Sequence, residues 1–288
     1  MLCFLLTFVG YSFINRYIAL HVETGIDEAY LNLWIPLLVC YALSLFVFRP
    51  FMKQLNYKKE ASAFLSGLLI PLSIGLPLAF SQEYVKDLGY KVITIDKPKN
   101  LDKYPSERFF KINHFVVDPS RYALIQEKYI SGRNGSRLNL NSYFIIPVFD
   151  DTIQQNSYRA SRVGYGIKFS RSLNNDIFVN DRQEEEVTAF RKRVKEDFHN
   201  YNFYNAGYFE KIKNTSDAKY FLEAESRSAV FEKEPGNIVL IGRTGTIQEL
   251  HTKEKNKFLY TTLICLPIGL VSLFFIDRYQ LKIKKSSL

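Results

Sequence analysis

The chain is apolar at both ends and polar in the middle, and that unevenness restricts its fold more than any motif it contains. Residues 1–20, 31–48, 61–80 and 258–276 are dominated by apolar side chains. The last three stretches hold no charged residue and approach the roughly 20 residues an α-helix needs to cross a hydrocarbon core. The first is interrupted by Asn15 and Arg16, but it lacks the basic start and the small-x-small site of a cleaved leader. The sequence therefore predicts an α-helical membrane anchor of four transmembrane helices. It also predicts an α+β extracytoplasmic domain, with an antiparallel or mixed sheet, over residues 81–257.

Short-loop charge sets the expected orientation. Arg49, Lys53, Lys58 and Lys59 fall between the second and third apolar stretches, and Arg278, Lys282, Lys284 and Lys285 follow the fourth. The 21–30 loop carries only Glu23, Asp27 and Glu28. By the positive-inside rule both basic segments are cytoplasmic, so both termini are expected inside and residues 81–257 outside. Small residues four apart in the third stretch, Gly75 with Ala79 among them, predict close helix packing.

A formal net charge of +9 would suggest a nucleic-acid ligand only if the basic residues were clustered. They are interleaved with acidic residues through the middle of the chain, so no nucleic-acid partner is expected. Cys3, Cys40 and Cys265 all lie in apolar stretches. The polar middle therefore has no thiol for structural zinc, a disulfide or nucleophilic catalysis.

Strand signals in the middle segment are Tyr90–Asp96, Phe109–Val117, Tyr122–Ile130, Leu138–Val148 and Val163–Phe169, rich in β-branched and aromatic residues. Asn134-Gly135 predicts a tight hairpin between the third and fourth, because a type I′ turn needs positive φ at both central residues. Phe231–Glu234 and Asn237–Gly242 around Pro235-Gly236 suggest another hairpin. Helices are predicted from Arg182 to about Asn200, with Asp181 and Glu184 as a capping box, and from Asp217 to Glu225.

The chemistry-bearing residues are scattered. His114 falls in phase with Phe110, Ile112 and Val116 and reads as a partly buried strand residue, whereas His199 sits where a helix C-terminus favours a cation. Gly242-Arg243-Thr244-Gly245 lacks the Gly-Lys-Ser/Thr element of a phosphate loop. Asp150-Asp151 reads as an exposed turn. Ser66 has no histidine on an apolar stretch to act as its base. No catalytic residue, metal site or cofactor is predicted.

The aromatic segment 200–209 is the one candidate binding surface, through Tyr201, Phe203, Tyr204, Tyr208 and Phe209, whose faces could meet a protein or a glycan. Core packing is the competing explanation. The functional expectation is a non-enzymatic partner-recognition module displayed outside the lipid bilayer. The alternatives are an enzyme with a site assembled across the domain and an accessory subunit of a membrane complex.

Overall fold

A computed structural model describes residues 2–21, 29–48, 60–88, 90–156, 159–175, 180–212, 215–233 and 236–274. The charged loops and tail used above for orientation lie largely outside these residues, as does Pro235. The chain divides into two compact units, Met1–Tyr90 with Ile247–Leu288, and Lys91–Thr246.

The first unit is helical. It contains α1 (Leu2–His21), α2 (Ile35–Leu43, flanked by π-helical turns Tyr30–Trp34 and Ser44–Phe48), α3 (Glu60–Asp87) and α7 (Ile247–Phe274). The long α3 is the hub against which the other three pack. At Gly75 a Cβ would come within 3.0 Å of Leu37, so α2 approaches α3 closely because that side chain is absent.

The four-span anchor is not what this unit shows. Among the described residues one helix is long and apolar enough to cross a membrane, Phe64–Lys86 within α3, and a shorter apolar helix covers Tyr30–Phe46. The first apolar stretch is cut by Asn15 and Arg16. The apolar helix described in the second stretch, Tyr30–Phe46, is shorter than a span. In α7 the apolar run begins after Lys257 and is described to Phe274.

The second unit is built on a mixed eight-stranded sheet in the order β1-β2-β7-β8-β6-β5-β3, with β4 also paired to β5. The strands are β1 (Val92–Ile95), β2 (Phe109–Ile112), β3 (Val116–Val117), β4 (Ala123–Ser131), β5 (Arg137–Phe149), β6 (Val163–Asn174), β7 (Tyr208–Lys211) and β8 (Ile238–Arg243). Pairing is parallel for β1–β2 and β6–β8 and antiparallel elsewhere.

The central β5 is buried along almost its whole length, because its alternate side chains enter two apolar layers. Leu138, Leu140, Phe144, Ile146 and Val148 meet Phe190, Val194 and Phe198 of α5 (Asn180–His199). Tyr143 and Ile145 meet Phe221 and Ala224 of α6 (Ser216–Ser226) on the other face. Gly166 on β6 makes the second layer compact, since a Cβ there would lie 3.0 Å from the Phe221 ring. The α6 helix starts where Thr215 Oγ1 accepts from Ala218 N–H at 3.0 Å. The α5 helix is where periodicity predicts it, but the Asp181 side chain of its expected capping box is not described.

Several local expectations change. Phe109–Val117 is two strands, broken at Asn113-His114, so His114 leaves the predicted strand face and stands exposed with Nδ1 2.9 Å from Asp96 Oδ1. Asp150 is buried, not a surface turn, because its carboxylate accepts the Lys99 N–H at 3.0 Å. Asp151 accepts from Gln154 N–H and starts the short α4 (Thr152–Asn156). Phe231 forms no hairpin with β8. It makes an isolated parallel bridge to Ser161.

Candidate functional site

The aromatic segment divides between the two faces of the sheet. Phe203 and Phe209 are core residues, edge-on to Tyr165 at 5.7 and 5.6 Å between ring centres. Tyr208 points the opposite way along β7 and packs edge-on against Phe109 at 5.6 Å. Tyr201 is half-buried, with its hydroxyl 3.2 Å from that of Tyr165, and Tyr204 is the one exposed member, its ring 5.2 Å from Phe115. Strand alternation therefore disperses the candidate surface, and packing accounts for most of it.

The histidines and acids do not converge either. His199 is exposed at the end of α5 and His114 pairs only with Asp96 on the surface. Among the described residues no three His, Cys, Asp or Glu side chains form a group able to hold a metal ion. Glu210 on β7 is a structural centre. Its carboxylate accepts from Arg108 Nε at 2.9 Å and from Arg243 Nε at 2.8 Å, tying β7 to β8 and to the residue preceding β2. Burial alone would raise its pKa, but the two guanidiniums outweigh burial and hold it below the usual carboxylate range.

Among the described residues the sheet has two edges: one is the four-residue β1, and the other is formed by β3 and the nine-residue β4, the longest of the three. The chain runs along the outer side of β5 twice, as β3 opposite Val148–Phe149 and as β4 opposite Arg137–Ile145. Between them it turns at Asp118, whose carboxylate binds Ser120 and, at 2.6 Å, Arg121 Nε. Arg121 in turn lies 5.1 Å over the Phe149 ring. Among the described residues no strand pairs with the outer side of β4, so the outward-facing backbone donors and acceptors of alternate residues in this nine-residue strand are presented there.

Its side chains are divided by the same alternation. Ala123 and Ile125 anchor the inner end in the α6 layer and Leu124 in the α5 layer. The outer half is exposed, with Tyr129 at 45% and Ile130 at 60% of full accessibility. A five-residue loop, 132–136, with a 3-10 turn over Arg133–Gly135, closes that end in place of the expected tight type I′ turn, although Asn134 and Gly135 do have positive φ, at 56° and 70°.

The edge is held rigid from the α6 side. Glu127 accepts from Asn141 Nδ2 at 2.9 Å and from the Tyr220 hydroxyl. That bond to a carboxylate, together with burial, pushes the Tyr220 hydroxyl up to about 12. Tyr220 stacks on Tyr143 at 4.7 Å, and the Tyr143 hydroxyl donates to Asp217, which also receives Lys168 Nζ at 2.7 Å. On the α5 side, Gln126, Lys128, Phe190 and Arg191 border a cleft of only about 60 Å3, well below the several hundred Å3 of a small-molecule site. The arrangement suits recognition by backbone pairing with flanking side chains. It offers no constellation for covalent or acid–base chemistry.

Comparison with known proteins adds no further constraint: no protein-family model, no curated protein and no solved structure matches the chain. The edge was hidden from sequence reading because β4 reads as a strand while its neighbours depend on the whole sheet order. Glu210 carries no local signal, since its two arginine partners come from distant positions.

Proposed function

We propose that the protein is a membrane-anchored recognition module whose sheet domain binds an extended segment of a protein partner along β4. The recognition reading rests on the unpaired outer side of β4. An incoming strand would satisfy its backbone groups, with Tyr129 on one face and Ile130 on the other selecting side chains. A glycan-binding aromatic platform is less well supported, because Phe203, Tyr208 and Phe209 are buried.

Anchoring is supported by α3, the helix able to span, and by the surface of the unit around it. Phe13, Leu38, Phe46, Phe64, Tyr260 and Leu263 are all exposed there, a concentration that water does not favour. With the basic 49–60 segment preceding α3, the positive-inside rule puts that side in the cytoplasm and the sheet domain outside.

Two measurements test the reading. Photo-crosslinking residues introduced at Lys128 and Ile130 should capture one defined partner in native membranes, and the same group at Lys192 on α5 should not. Equal capture at all three positions would remove the edge from consideration. Thiol labelling of Asn134→Cys, in a variant lacking Cys3, Cys40 and Cys265, should proceed in intact cells. Labelling only after permeabilisation would reverse the orientation.

A further inference from the structure

The two sides of the β4 edge differ in charge. On the α6 side the acids are partnered: Glu127 is held by Asn141 and Tyr220, Asp217 receives Lys168, and Glu223 pairs with Arg227. On the α5 side the charges are cations. Even-numbered residues of β4 face that way, as Leu124 does in the α5 layer, which puts Gln126, Lys128 and Ile130 there. Lys128 is exposed, and its neighbours on that face are Gln126, Ile130 and, across on β5, Leu140. None of these is an acid.

The α5 helix extends the same row. Arg191 borders the small cleft beside the edge together with Lys128, Leu140 and Phe190. Lys195 follows one turn later on the same side of the helix. Both are exposed, and the residues three and four places from each of them include no acid. Among the described residues none of the three cations forms a salt bridge, whereas Arg193, on the opposite side of α5, pairs with Asp197 at 3.7 Å. The acid on the Arg191 side, Glu184, lies two turns earlier, about 10 Å along the axis. The row is therefore net positive, and it runs beside unpaired backbone.

We infer that the segment taken up by β4 is acidic: an extended stretch of a partner protein with Asp or Glu at alternate positions, their carboxylates directed to the α5 side. This rests on the edge reading above and names the chemistry of the partner. A strand paired to β4 turns every second side chain toward α5, beside Lys128 and next to Arg191, whose guanidinium suits a carboxylate. The cleft of about 60 Å3 between them has room for the end of one such side chain.

Charge weighs against two other occupants. A second copy paired antiparallel through β4 about a two-fold axis would set the cationic row against itself. The C-terminal residues of the chain carry Arg278, Lys282, Lys284 and Lys285 and would bring like charge as well. Anionic lipid would meet the cations but leave the backbone groups of the edge without partners.

Selection of randomised nine-residue peptides, the length of β4, on the full-length protein in phosphatidylcholine nanodiscs tests the inference. Asp and Glu should be enriched at alternate positions, and the selected peptides should crosslink to a photoreactive residue at Ile130. Lys128→Glu combined with Arg191→Glu should weaken these peptides at least about tenfold and should select Lys or Arg in their place. Lys192→Glu, on the outer face of α5, should do neither. Because the charge-swapped protein is expected to gain a new preference, a folding defect cannot imitate the result. Peptides that crosslink at Ile130 without a charge preference would overturn the acidic segment and leave the edge reading standing. Acidic peptides that crosslink at Lys192 in place of Ile130 would overturn both. If no peptide is selected the inference falls, and capture of phosphatidylserine vesicles through Lys128 and Arg191, or of a second copy through Ile130, would then name the occupant.

Discussion

The helical unit and the sheet unit differ in the polar groups they bury and in the apolar side chains they expose. In the sheet unit the interior is Phe, Tyr, Ile, Leu and Val in two layers, and the enclosed Glu210 is paired with two arginines. In the helical unit Ser12, Asn15, Asn32, Ser81 and Gln82 are buried, while large apolar side chains line the outside. Asn15 Nδ2 donates to Asn32 at 3.0 Å and to Gln82 at 3.1 Å, and Gln82 Nε2 donates to Ser12 at 3.1 Å, so one polar cluster joins α1, the turn before α2, and α3. Apolar contact drives a sheet domain together in water. Between helices in an apolar medium it supplies no comparable drive, and packing and polar contacts take over. The proposed anchoring role accounts for this difference.

The contrast can be broken from either side. In the sheet unit, Phe221→Ala should destabilise by about 3–5 kcal/mol, the usual range for emptying a buried aromatic site, measured by denaturant unfolding of the domain signal. Glu210→Ala leaves two arginines facing a vacancy and should cost about 3–5 kcal/mol. In the wild type, stability from Glu210 is present above the free-glutamate range and falls as pH drops through its lowered folded value. A Glu210→Gln variant should therefore show a shallower acid limb.

In the helical unit, Leu72→Asp near the middle of α3 should lower membrane insertion by about 3 kcal/mol. The same change on a water-exposed helix would alter stability by no more than about 0.5 kcal/mol. Partition between membrane and soluble fractions separates the two, and unchanged partition would refute the anchor. Gln82→Leu should weaken the bundle by about 1 kcal/mol through its lost polar contacts, read as a lower melting temperature in detergent. Least affected should be Tyr129→Asp, which leaves domain stability within about 0.5 kcal/mol while abolishing edge crosslinking.

What sequence pattern revealed was local. The Asn134-Gly135 turn, the long β5 with its alternation and the apolar stripe of α5 all announce themselves within a few residues. The failures involve information held elsewhere in the chain. The β7 strand is four residues buried on both faces, so it shows no alternation and reads as an aromatic cluster. The β6 strand continues to Asn174 through polar residues because β5 is there to pair with it. The expected helix count was too high: among the described residues one helix, Phe64–Lys86, is long and apolar enough to cross a membrane.

Strand order also has a consequence in time. The β4–β5–β6 meander pairs strands that are consecutive in the chain, β4–β5 through residues 132–136 and β5–β6 through residues 150–162, and is expected to form early. The pair β1–β2, although earliest in the chain, connects to the rest of the sheet only through β7, and β7 reaches β6 only through β8. The first strands must therefore wait, unsupported on one side, until residues near 243 have been made. Since α7 begins at Ile247, completion of the sheet and arrival of the last helix are almost the same event during synthesis.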